Sequence, residues 1–439
     1  MFKRLTIIGL WVTGLALNAS GVIASEALAK AQYPIEDRFA ATVIGTPHAY
    51  KAELPAEIPV KEYTLPGLHP VPKLFWYSEG LRFSAALQKG RAPLVFNIAG
   101  TGAGYKSQKM LALQKALYQA GFHVINISSP TYLNFLINAS QSNLPGFLPE
   151  DAKDIYRVME QAYKQIEGDV EVSAFHIMGY SLGAAHAAFV AELDQRRKVF
   201  DLQKVYMINP PVNLYHSVDI FDHMLEANVE GGLQGVGVFL DRALNRLAAS
   251  YEPKEGMHFD GDFLYKAYSS WDLSKRGTGP EGRNGAAALI ATSFRLSSAN
   301  IVFAADLMSH SAYIIPPGTE FGRRERLDYY AKASHVVKFT EYVDDMIIPY
   351  LQQKQPDKSR EQLLKEASLH HIEAFMAGNA QLRVVTNRDE IILAPGELAY
   401  MEGLLGERIK VFAHGGHCGN IDSKENVADM VAFLKGEKS

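Results

Sequence analysis

A single cysteine, Cys418, stands in a chain of 439 residues, so no disulfide can form within it and stability has to come from a buried core. No cluster of histidine and cysteine has metal-ligand spacing. His370 and His371 are sequence neighbours that would face different sides of a helix, and no metal site is expected. Charge of neither sign accumulates: the net charge is -4 with histidine neutral, and the basic clusters Arg196-Arg197-Lys198 and Arg323-Arg324-Glu325-Arg326 are short or interrupted. Clusters of that kind suit solvated helix faces rather than a track for phosphates, which excludes a nucleic-acid partner from the expectations. Low-complexity sequence is absent too, and at 47% hydrophobic content the chain can bury a full core plus a sizeable insertion. Long apolar runs are scarce: the stretch 286–308 is interrupted by Arg295, Asp306 and several Ser, Thr and Asn residues, so it does not read as a membrane span.

What is present begins at the N-terminus. Met1-Phe2-Lys3-Arg4 precedes an apolar stretch from Leu5 to about Leu17, and small residues lead on to Ala24. A charged start, a short apolar segment and small residues at the cut are the parts of a secretory signal peptide. Cleavage is expected after Ala24, with Ala29 as the alternative; an uncleaved anchor competes, but the stretch is short for a span of ~20 residues. The mature protein is expected in the periplasm or outside the cell, without a stable membrane span.

Seven prolines between Tyr33 and Pro72 suggest an extended arm on the surface, with candidate strands at 60–65, 73–77 and 81–87; Ser78-Glu79-Gly80 offers a hairpin turn between the last two, and the N-terminal strands are expected to be antiparallel. Strand and helix then alternate. Strands are expected at 93–99, 123–128, 172–178 and 204–208, and helices at 109–120, 150–166 and 184–193, which implies an α/β fold with a mostly parallel sheet covered on both faces. Helical patterns alone fill the next stretch, around 218–225, 236–247, 286–308, 335–351 and 361–376. A helical insertion explains them better than a long structureless loop. The sheet pattern resumes with strands at 380–386 and 408–413, a helix near 395–405 and a last helix at 423–435, with Asp422 or Ser423 as its N-cap.

The chemistry is expected at Gly179-Tyr180-Ser181-Leu182-Gly183, which lies between an apolar strand and a helix opened by Ala184, Ala185, Ala187 and Ala188. Gly-x-Ser-x-Gly in that setting is a nucleophile elbow; its glycines spare a tight turn two colliding Cβ atoms. A serine hydroxyl needs a histidine to take its proton and a carboxylate to orient that histidine. His417, flanked by glycines after the last strand, is the first choice of base, with His414 behind it; Asp389, just past a strand end, is the first choice of acid, with Glu390 and the pair Asp344 and Asp345 as rivals. Cys418 makes a poor nucleophile candidate, since adjacent residues do not easily face each other. An oxyanion site calls for backbone N–H groups, expected from Leu182 and from Thr101 or Gly102 in the glycine-rich turn 100–104. That turn also invites a dinucleotide reading, but its third glycine is off register and the next strand ends in Asn126, Ile127 and Ser128 without an acid for a ribose. No cofactor is therefore expected.

Taken together, the Gly-Tyr-Ser-Leu-Gly elbow, Asp389 and the Gly-Gly-His-Cys-Gly loop in the order Ser, Asp, His resemble the α/β-hydrolase superfamily. The resemblance covers 60–212 and 380 to the C-terminus. With the signal segment at 1–24 set aside, it implies a hydrolase core in two parts, 25–212 and 380–439, and a helical cap at 213–379. It also implies a serine hydrolase of esterase or lipase type acting on a small-molecule ester or lipid-like substrate. An amidase or peptidase using the same triad, or a hydrolase-fold protein that only binds, stays open, as does oligomeric state. Because the base must be neutral to accept a proton, activity is expected to fall below pH ~6.5.

Overall fold

The structure of the chain, a computed structural model, describes residues 33–229, 232–249 and 280–437; the expected signal segment lies outside these residues. Eight strands form one sheet: β1 (Lys61–Leu65), β2 (Leu81–Ala86), β3 (Ala92–Ile98), β4 (His123–Ile127), β5 (Val172–Tyr180), β6 (Lys204–Ile208), β7 (Leu382–Asn387) and β8 (Ile409–Phe412). Their order is β1-β2-β4-β3-β5-β6-β7-β8. β2 runs antiparallel to both β1 and β4, and every other pairing is parallel.

Alternation along β3 splits the core in two. Leu94, Phe96 and Ile98 pack with the helices Leu148–Ile166 and Leu182–Arg197, whereas Val95 and Ala99 pack on the other face with Gln108–Gln119 and Lys424–Lys435. Helix Leu148–Ile166 buries Ile155, Val158, Met159, Ala162 and Ile166, the stripe its threefold and fourfold spacing predicts. Ser423 caps the last helix by accepting from the Asn426 amide.

Between β6 and β7 the described elements are all helices, with a non-helical stretch at 310–327. The longest helix, Pro280–Ser309, is long and apolar enough to cross a membrane by length and composition, but 78% of its apolar window is buried inside the protein. Arg295 on this helix forms a buried ion pair with Asp222 of helix Leu214–Asn228 at 2.8 Å. The same carboxylate accepts from the amides of Phe339 and Thr340 and from the Thr340 hydroxyl, so one acid ties three elements together.

Four expectations need correction. Residues 73–77 are not a strand: Lys73–Ser78 is a 3-10 helix, because Pro72 cannot donate to a ladder and its carbonyl instead accepts from Phe75 N at 2.8 Å. β2 consequently pairs with β1 rather than with a hairpin neighbour. The expected loop between Pro130 and Pro145 contains the helix Leu133–Ala139, whose residues are mostly buried. The N-terminal arm is not extended throughout, since it includes a helix, Arg38–Ile44, that buries Ala41, Thr42 and Val43. The expected helix at 335–351 is interrupted by a π-turn, Val343–Ile347, just ahead of Pro349, which lacks the N–H that a continuous α-ladder would need.

Candidate active site

Ser181 follows β5 with φ 55° and ψ -129°, a left-handed conformation that a serine adopts only when its surroundings enforce it. Ser181 N donates to the Ile208 carbonyl at 2.8 Å, and the helix starting at Leu182 carries the chain away. The elbow glycines are sterically obligatory. A Cβ on Gly179 would sit 2.2 Å from the Gly183 carbonyl oxygen, and one on Gly183 would sit 2.3 Å from that of Ile98.

The loop after β8 brings His417 over this turn. The Ser181 hydroxyl donates to His417 Nε2 at 2.8 Å, and His417 Nδ1–H donates to Glu390 Oε1 at 2.9 Å. Glu390 is buried and saturated: Oε1 also accepts from Ile391 N at 2.8 Å, and Oε2 accepts from Asn209 Nδ2 at 2.6 Å. Serine, imidazole and carboxylate thus form one hydrogen-bonded chain.

The carboxylate in that chain is not the expected one. Asp389 does not touch the His417 ring; it accepts from Gly416 N at 3.0 Å and Gly415 N at 3.3 Å, with His414 Nδ1 3.9 Å away. The reason lies in the turn beyond β7. Glu390 N bonds back to the Asn387 carbonyl, while Ile391 and Ile392 plunge into an apolar cluster, so the inward side chain is the one adjoining the isoleucines. Asp389, shorter by a methylene and one residue earlier, reaches only the backbone of the glycine loop. The apolar pair directly after Glu390 was the sequence signal for this. The other rivals are structural: Asp344 binds Arg360 at 2.8 Å, and Asp345 accepts from the Tyr313 hydroxyl at 2.9 Å. Cys418 is buried with φ 58°, its Sγ 3.9 Å from His417 Nε2, while the serine oxygen holds that nitrogen at 2.8 Å.

Burial disfavours a charge on His417, but the Cys418 sulfur and the Glu390 carboxylate favour it more strongly, and the imidazole's pKa is raised above the ordinary histidine value of 6.5. Burial pushes Asp389 up as well, against the pull of the two glycine amides.

A cleft opens beside Ser181, walled by Leu182, Pro211, Leu214, Val218, Phe221, Phe294, Phe339 and Ile392. About 410 Å³ of space lies along these walls, part of it open to solvent. Its few polar groups are turned to the protein itself: Ser217 Oγ donates to the Ile392 carbonyl at 2.8 Å, and Thr131 Oγ1 accepts from Gly102 N at 2.8 Å. The latter bond occupies the Gly102 amide, one of the two expected turn donors. Thr101 and Leu182 both line the cleft beside Ser181, and Leu182 is the first residue of its helix, where an N–H has no intrahelical acceptor. Among the described residues, no group of His, Cys, Asp and Glu could hold a metal ion.

A sheet in this order, with its second strand reversed and a strained serine turn after the fifth, is an α/β-hydrolase fold. No protein-family model matches the chain, and no curated protein matches it. Among solved structures, the chain is similar to a hyperthermophilic esterase from the archaeon Pyrobaculum calidifontis (13% identity, 91% of this chain and 85% of that one, TM-score 0.39). It is similar also to an esterase from the fungus Rhizomucor miehei (12% identity, 94% and 95%, TM-score 0.41). A third similar structure is a thioesterase domain from the curacin biosynthetic pathway (11% identity, 86% and 99%, TM-score 0.37).

Proposed function

We propose that this chain is a serine hydrolase that cleaves carboxylic esters with an apolar acyl group. The observation that carries the reading is the hydrogen-bonded chain from Ser181 Oγ through His417 to Glu390, at 2.8 Å and 2.9 Å, on a turn whose serine has φ 55°. In the first half-reaction Ser181 Oγ attacks the ester carbonyl as His417 Nε2 takes its proton, and Glu390 stabilises the imidazolium. Negative charge on the tetrahedral oxygen is met by the Thr101 and Leu182 amides, each worth ~3 kcal/mol of barrier. His417 returns the proton to the departing alcohol, leaving an acyl group on Ser181. Water activated by the same imidazole then releases the acid. The apolar cleft walls support an apolar acyl chain.

Turnover of a p-nitrophenyl ester series of increasing acyl length tests this reading: the wild type should hydrolyse it, and Ser181→Ala should lose roughly 10³-fold or more of kcat. A Ser181→Ala protein that hydrolyses the series like the wild type would remove Ser181 from the role. Export is proposed on the sequence of residues 1–24 alone. The mature protein recovered from the periplasm or medium should begin at Ser25, or at Lys30 for the alternative cut; intact Met1 on cytoplasmic protein would refute it.

A further inference from the structure

The segment ahead of β1 lies outside the sheet, yet it is built against the base of the site. Its helix, Arg38–Ile44, is capped by Asp37, which accepts from the amides of Phe39 and Ala40, and Tyr33 closes the segment by donating to the Gly45 carbonyl at 2.6 Å. Thr42 Oγ1 donates to Arg38 O at 2.7 Å and accepts the His417 N–H at 2.8 Å. One turn later Thr46 Oγ1 donates to the Gly419 carbonyl at 3.0 Å. The two backbones touch: a Cβ on Gly416, whose φ is +52°, would stand 2.1 Å from Arg38 O and 2.4 Å from Thr42 Oγ1. Further along, Ala52 N donates to the Asp422 carbonyl at 2.9 Å, and Lys51 pairs with the Asp422 side chain at 3.3 Å. The helix's other side contributes Val43 to the apolar cluster that holds Ile391, Ile392 and Leu289, so it also backs the Glu390 turn and the cap.

His417 follows two glycines with positive φ, a stretch with little conformational preference of its own. Its ring is aligned by Glu390, but its backbone amide has one acceptor, Thr42 Oγ1. Misplacing a catalytic group by ~1 Å can cost roughly 10²-fold in rate. We infer that Thr42 is a positioning residue for His417 and that the segment 33–52 is a working part of the catalytic site. This rests on the proposed hydrolase function. Thr42 acts through the imidazole and touches no substrate atom.

The test is steady-state hydrolysis of p-nitrophenyl butyrate by the full chain and its Thr42→Val and Thr42→Ser variants. Valine keeps the shape and removes the oxygen, so kcat should fall roughly 10- to 100-fold while KM stays within about twofold; serine restores the oxygen and should return kcat to within about threefold of wild type. If Thr42→Val does not fold, Thr42→Ala carries the same comparison. A wild type that turns over beside a Thr42→Val or Thr42→Ala with kcat within about twofold of it overturns the inference alone, and so does a Thr42→Ser as impaired as the valine variant. A wild type that hydrolyses no ester overturns the proposed function, and the inference with it.

Discussion

Glutamate and aspartate differ by one methylene, and past the end of β7 that methylene separates a residue that reaches an imidazole from one that reaches only a loop backbone. The consequence at the residue scale is electrostatic. His417 is raised above 6.5 because Cys418 and Glu390 favour its charge more than burial opposes it, and only the neutral imidazole can take the serine proton. Activity should therefore rise with pH through an apparent pKa above 6.5, higher than the sequence alone suggested, and Glu390→Gln should move what activity remains to a lower pKa. A pH profile of kcat/KM checks both; a plateau reaching below pH ~6 would contradict the shift. Ser181 and His417 were legible in the sequence because their flanking glycines and preceding strands are local signals. The acid was not, since neighbouring carboxylates on one turn are told apart only by which one the following isoleucines drag inward.

At the scale of elements, the cap is held by charge as well as by apolar contact. Arg295 and Asp222 are both buried, and Asp222 also serves the start of the helix at Phe339. Removing one partner leaves the other charged and buried, so Arg295→Ala should cost ~3–5 kcal/mol of unfolding free energy, and converting both to apolar residues of similar size should cost less. Urea titration checks this; an Arg295→Ala protein within ~1 kcal/mol of wild type would show that the pair does not brace the cap. Elements with a strong period, such as Leu148–Ile166, could be read directly from sequence. Those that could not were short, at six or seven residues too brief to show a period: the 3-10 helix Lys73–Ser78, the buried Leu133–Ala139, and Arg38–Ile44, whose reason for being helical is the loop it packs on.

For the whole molecule, the alternation of strand and helix was enough to expect a mostly parallel sheet, and its loss after β6 a helical insertion between β6 and β7, and the sheet order bears this out. Contacts between distant stretches were beyond it. The N-terminal segment, read as a surface arm, instead packs on a loop some 375 positions away through Thr42 and His417. What the assembled molecule claims is a single hydrogen-bonded chain, Ser181 to His417 to Glu390, and covalent labelling by a fluorophosphonate, with the modified peptide mapped by mass spectrometry, tests it most directly. The account predicts one adduct, on Ser181, formed roughly 10³-fold more slowly in Glu390→Gln but within about tenfold of wild type in Asp389→Asn. An adduct elsewhere, or Asp389→Asn as slow as Glu390→Gln is predicted to be while Glu390→Gln labels at the wild-type rate, would contradict it.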